Sequence, residues 1–122
     1  MRFILVMILL IYFVTLTEAQ SAPKITIYNA SDFINTEGTV CDSVYSVSQP
    51  AGENKPIYLN FGGNYPDNIF SAIIFAKDQY KFNFDLKEVL KNKNVCVTGK
   101  ITQYKGNHQI IVNDAVQLLI QE

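Results

Sequence analysis

At 122 residues and a formal net charge of −1, the chain has room for one domain and lacks the basic balance of a strong duplex-DNA binder. Its single arginine is Arg2, and the residues after Ala19 carry nine lysines, ten acids and no arginine. Positions 20–67 hold two of those lysines and 68–122 hold seven, so a surface that attracts phosphate is expected from the C-terminal half.

The first predicted element is a secretory signal peptide over 1–19. Arg2 supplies a positive start, and Phe3 to Val14 is an unbroken apolar run of 12 residues. Thr17 and Ala19 then bring small residues to the positions that precede cleavage. The run is shorter than the roughly 20 apolar residues of a membrane helix. It is apolar on every face, so as a helix of the domain it would need covering all round. Cleavage after Ala19 or after Ser21 fits. No cysteine follows to carry a lipid. The expected location is the periplasm or the extracellular space, with no membrane anchor after cleavage.

The mature chain begins with a lead-in over 20–37. In it Lys24 to Tyr28 alternates like a short strand, and Ser31 to Asn35 suits one helical turn. Gly38 opens a β-rich run from Thr39 to Val47, and 49–56 is a loop by composition. Ile57, Leu59 and Phe61 alternate with Tyr58 and Asn60 in a second strand. The cluster Gly62 to Asn68 is a turn, and Ile69 to Ala76 a third strand. Asp78 to Lys93 reads as a turn and a short helix, with Phe84, Leu86, Val89 and Leu90 as an apolar stripe. Asn94 to Tyr104 is a fourth strand broken by Gly99, a residue that marks a bulge or a barrel corner. Lys105-Gly106-Asn107 signals a hairpin into His108–Val112, and Val116 to Ile120 is an apolar tail expected to pack on the barrel.

Three strands, a helix and a hairpin of two more strands is the order of an all-β, five-stranded OB-fold barrel with a short helix between strands three and four. An SH3-like barrel lacks that helix. The predicted division is a signal peptide over 1–19, a lead-in over 20–37 and an OB-fold barrel over 38–122.

Several stretches also carry a family likeness: Gly38-Thr39-Val40-Cys41, Tyr58-Leu59-Asn60-Phe61-Gly62, Phe70-Ser71-Ala72-Ile73-Ile74-Phe75, and above all Val97-Thr98-Gly99-Lys100-Ile101 with Tyr104-Lys105-Gly106. In this order they resemble the small exported bacterial OB-fold domains found alone or attached to secreted nucleases. The resemblance covers 25–120 and implies binding of nucleic acid, usually of single strands. The chain departs from the family at Asp42, where a Gly is expected after the cysteine, and at His108-Gln109, where Pro-Glu is expected in the hairpin.

The residues point away from catalysis. An OB-barrel nuclease uses arginine against the charge that builds on a phosphate, and carboxylates that hold a metal. Arginine is absent after Ala19, and Asp42, Asp67, Asp85 and Glu88 lie in different elements without metal-loop spacing. His108, in the hairpin, is the only imidazole, and no serine sits in a nucleophile motif. No enzyme activity, cofactor or metal is expected. Two cysteines and one histidine are too few for a closed zinc site.

Binding of single-stranded DNA or RNA needs flat rings to stack bases and lysines to follow the backbone. OB domains bind across strands two and three and the loops after strands one and four. The predicted nucleic-acid-binding residues are therefore Tyr58 and Asn60 on the second strand, and Lys100, Tyr104 and Lys105 on the fourth strand and its loop. A protein or an oligosaccharide on the same face is the alternative partner, and a monomer is expected. Cys41 and Cys96 are predicted to form a disulfide. Val40, Val95 and Val97 should face the core, so both cysteines should point outward from the neighbouring first and fourth strands, within bridging reach.

Overall fold

The computed structural model describes residues 22–122, and the predicted signal peptide lies outside them. The described chain is predominantly β. Its strands are β1 (Lys24–Ile25), β2 (Glu37–Ser43), β3 (Ser46–Ser48), β4 (Ile57–Phe61), β5 (Phe70–Ile74), β6 (Asn94–Tyr104), β7 (Asn107–Ile111) and β8 (Leu118–Gln121). Three short 3-10 segments lie at Ala30–Phe33, Ala76–Lys81 and Ala115–Gln117, and one α-helical turn, α1, spans Leu86–Val89. Asp85 caps α1, its Oδ1 accepting from the N–H groups of Lys87 (2.9 Å) and Glu88 (3.2 Å).

All eight strands belong to one mixed sheet in the order β1-β2-β6-β7-β5-β4-β3, with β8 on the first half of β6. The pairs β1–β2 and β5–β7 are parallel and the others antiparallel. The β-rich run after Gly38, expected as a single strand, is divided in two. At its break the Val44 N–H donates to the Lys93 carbonyl (2.8 Å) and the Tyr45 N–H to the Asn60 carbonyl (2.9 Å). Successive amides thus turn to opposite sides, and the chain leaves β6 to meet β4.

Alternation decides which side chains enter the core. Leu59 and Phe61 of β4, Phe70, Ala72 and Ile74 of β5, and Val95, Val97 and Ile101 of β6 are all buried together. Leu86 and Leu90, and Ile25, Ile27 and Ala30 of the lead-in, join the same core. Val40 is buried there too, which leaves Cys41 and Cys96 on the opposite face. The two cysteines are direct partners in the β2–β6 register and are disulfide-bonded, with Cα atoms 4.0 Å apart. Of the apolar tail only Leu118 is buried, since Leu119 and Val116 point to solvent from β8 and the turn before it.

Gly99 stands just before β6 passes from β2, which it pairs with up to Lys100, to β7, which it pairs with from Ile101. A Cβ there would stand 2.7 Å from Ile110 Cγ2 and 3.0 Å from Gln117 Nε2, so only glycine lets the two approach. Gln117 uses that space to join four backbone groups. Its Nε2 donates to the carbonyls of Thr98 (3.0 Å) and Ile111 (3.2 Å), and its Oε1 accepts from the N–H groups of Asn113 (2.8 Å) and Asp114 (3.0 Å). The nearby Lys81 ammonium bonds Asp78 (3.0 Å) and the Asn113 carbonyl (2.7 Å), and the Asp78 hydrogen bond raises its pKa.

Replacing Gln117 with Ala is expected to lower folding stability by about 2 kcal/mol, as several hydrogen bonds of modest net value are lost at once. Gln117→Glu should be worse at neutral pH, because a carboxylate keeps the acceptor role but turns an unpaired charge on two carbonyls. Acidification should recover part of that difference, since a protonated acid can donate once. Urea unfolding of both variants beside the parent chain checks this, and equal stability of Gln117→Glu and the parent at pH 7 would refute the pinning role.

Candidate functional site

The outer face of β4, β5, β7 and the end of β6 carries a groove of about 860 Å³. Two cross-strand rows run across its floor and beyond it. One row runs Ser48, Tyr58, Ile73 and Ile111 across β3, β4, β5 and β7. The other runs Ser46, Asn60, Ser71, Gln109 and Thr102 and continues onto β6. The first row is thus largely apolar and the second wholly polar.

Loops form the rims. Gln49 and Pro50 come from the β3–β4 connection, Tyr65 and Asn68 from the β4–β5 connection, and Tyr104 and Lys105 from the β6–β7 hairpin. The hairpin is a two-residue turn with positive φ at both Lys105 (50°) and Gly106 (82°), the geometry that matches the twist of paired strands. It places Lys105 Nζ 5.4 Å from the centre of the Tyr104 ring, in cation–π range. Tyr104 is 60% exposed and Tyr65 is 68% exposed, and Phe75 reaches the groove from the end of β5. Lys105 is the only charged side chain among the lining residues.

Of the five residues predicted to bind, Tyr58, Tyr104 and Lys105 come together here, and two do not line the groove. Asn60 belongs to the polar row but is fully buried, its Nδ2 donating to the hydroxyls of Ser46 and Ser48 at 3.1 Å each. The cause is β3, which pairs along the edge of β4 and covers a side chain that period-two alternation alone would leave open. Lys100 is exposed but lies opposite Glu37, in the part of β6 that pairs with β2, whereas Tyr104 lies in the part that pairs with β7. Sharing a strand with Tyr104 therefore does not give it a share of the groove. His108, expected in the hairpin loop, is a half-buried residue of β7 opposite Gln103.

Sequence reasoning missed Ile73, Phe75, Gln109 and Ile111, and left Tyr65 out of the predicted binding residues. A signal for the first four was present. Once Phe70, Ala72 and Ile74 are assigned to the core, period two sends Ser71, Ile73 and Phe75 outward together, and Ile110 inward does the same for Gln109 and Ile111. A smaller polar concavity of about 410 Å³ is lined by Tyr45, Ser46, Asn64, Lys91 and Asn92. Among the described residues no three His, Cys, Asp or Glu side chains gather in a metal-binding cluster, and no helix is long and apolar enough to cross a membrane.

No protein-family model matches the chain, and no curated protein matches it significantly. Among solved structures, a chain of Leishmania major Friedlin described as an aspartyl-tRNA synthetase is similar in fold, with a TM-score of 0.52 and 11% sequence identity. The match takes in 88% of this chain and 22% of that one, so this chain spans about a fifth of its length. A likeness at that identity concerns the fold alone.

Proposed function

We propose that this chain is an exported OB-type module that binds single-stranded nucleic acid in the groove between Tyr58 and Tyr104, and that it is not an enzyme. Support for the OB reading comes from the strand path. Leaving aside β1, the path begins on β2 and ends on β3, the two halves of one run, and a short helical segment separates β5 from β6. The observation that carries the functional reading is the ring-lined groove itself. Tyr58, Tyr65, Phe75 and Tyr104 surround a floor with no acidic side chain, and Lys105 offers one ammonium at the rim. Such rings stack bases without regard to sequence, while a cation follows the phosphates. The Cys41–Cys96 bridge fits an oxidising compartment, in keeping with the predicted signal peptide and the resemblance to exported domains.

One ammonium also sets how binding should respond to salt. Anisotropy of labelled single-stranded DNA and RNA is expected to give weak binding whose log–log salt slope is near −0.7, the value for about one phosphate neutralised on a single strand. Duplex of the same sequence should bind less. No binding of either single strand at low salt would remove the nucleic-acid reading. The amides of Gln49, Asn68, Asn107 and Gln109 favour a second reading, a neutral oligosaccharide stacked on the same rings. Competition by neutral oligosaccharides, with no effect of salt, would establish it instead.

A further inference from the structure

Two side chains of the polar row leave hydrogen-bonding capacity unused: Asn60, whose Oδ1 is buried away from the groove, and Gln109, whose carboxamide meets it. Asn60 donates to two serines, Ser71 Oγ accepts from Asn68 Nδ2 at 2.7 Å, and Thr102 donates to the Gln109 carbonyl at 3.5 Å. The Gln109 carboxamide has no hydrogen-bond partner among the described residues, although only 9% of the residue is exposed. What remains open of it faces the groove. Its neighbours along β7 are Asn107 and Ile111, and across the sheet Ser71 and Thr102.

Its position relative to the rings is equally specific. Tyr58 stands on β4 and Tyr104 on β6, with β5 and β7 between them. Three inter-strand spacings set the two strands about 14 Å apart. Gln109 lies on the floor of that interval, one strand from Tyr104 and two from Tyr58. A carboxamide on a groove wall with no protein partner has its hydrogen bonds met only by water or by a ligand. A carboxamide also presents a donor and an acceptor in one plane, the arrangement that pairs with the adjacent acceptor and donor on a base edge.

We propose that Gln109 is the ligand-reading residue of the groove, hydrogen-bonding the edge of a nucleobase that lies on the floor between the bases stacked on Tyr58 and Tyr104. The inference rests on the nucleic-acid reading above and adds the residue that turns indiscriminate stacking into recognition of the base. It separates two properties that a purely structural glutamine would keep together. Gln109→Leu puts an apolar side chain of similar bulk in its place, removes the unpaired amide and should leave the melting temperature at or above that of the parent. The same substitution should weaken binding of a short single-stranded DNA about tenfold, as expected when a directed hydrogen bond is lost from a desolvated site.

The test compares the parent chain and Gln109→Leu against one fluorescent oligonucleotide and its abasic counterpart, with thermal unfolding of both proteins. The expected result is a tenfold loss on the base-bearing strand, little change on the abasic strand, and a melting temperature at or above that of the parent. Equal affinity of the two proteins for the base-bearing strand would overturn the role of Gln109 and leave the nucleic-acid reading intact. An equal loss on both strands, or a clear drop in melting temperature, would assign Gln109 to the fold and also overturn it. Failure of the parent chain to bind either strand would remove the nucleic-acid reading, and this inference with it.

Discussion

Removing the Cys41–Cys96 bridge, by reduction or by a Cys41→Ala, Cys96→Ala double substitution, is expected to lower stability by as much as about 4 kcal/mol. The two residues are 55 apart in sequence, and a bridge mainly restricts the unfolded chain, which without it is free to open that whole loop. The folded state loses less, because β2 and β6 stay paired along the seven register positions from Glu37 to Ser43. A domain of this size is typically stable by about 5–15 kcal/mol, so the loss is a large share of the total. The melting temperature should fall by roughly 15–30 °C while the circular dichroism of the folded state is kept. An unchanged melting temperature under reductant, or two free thiols per denatured, unreduced chain, would contradict the bridge.

The second large effect concerns binding. Tyr58→Ala and Tyr104→Ala should each weaken single-strand binding by about 1–3 kcal/mol, the range for one base–aromatic stack. The rings stand on different strands and do not share a partner, so the double variant should show close to the sum. Tyr104 should lose slightly more, since its removal also frees Lys105 from the ring that holds its ammonium. Stability should change little at Tyr104, which is largely exposed, and more at Tyr58, which is half-buried against Ile73. Titration of each variant with the same oligonucleotide, beside Tyr28→Ala as an exposed control outside the groove, provides the measurement. A loss at Tyr28 equal to that at Tyr104 would show that stacking in the groove is not the source of affinity.

The strands were more legible in the sequence than the site. Ile57 to Phe61 and Asn94 to Tyr104 were read with their observed bounds, because period-two alternation and the punctuation of Pro56, Gly62 and Gly99 are local signals. The cysteine pairing was legible for the same reason, since parity about Val40 and Val95 fixes the face of each cysteine. Parity says which side of a strand a residue takes, but not what lies over that side. Asn60 and Tyr58 share a face, yet the fold of β3 along β4 buries one and leaves the other half open. Lys100 and Tyr104 share a strand, yet the strand changes partners between them. Both outcomes depend on contacts between segments far apart in sequence, which no local pattern encodes. The division of the first long strand into β2 and β3 has the same origin, since Val44 and Tyr45 turn to satisfy carbonyls of two different neighbours.

The hairpin that carries Lys105 has a consequence for how freely this chain can vary. Its φ of 50° lies in the left-handed region, where a long side chain is disfavoured by about 1 kcal/mol and asparagine or glycine is at ease. Backbone preference and charge therefore pull position 105 in opposite directions. Drift toward the better turn residue would tighten the hairpin and in the same step strip the groove of its only formal charge. A lysine kept there is held by something other than the shape of the turn.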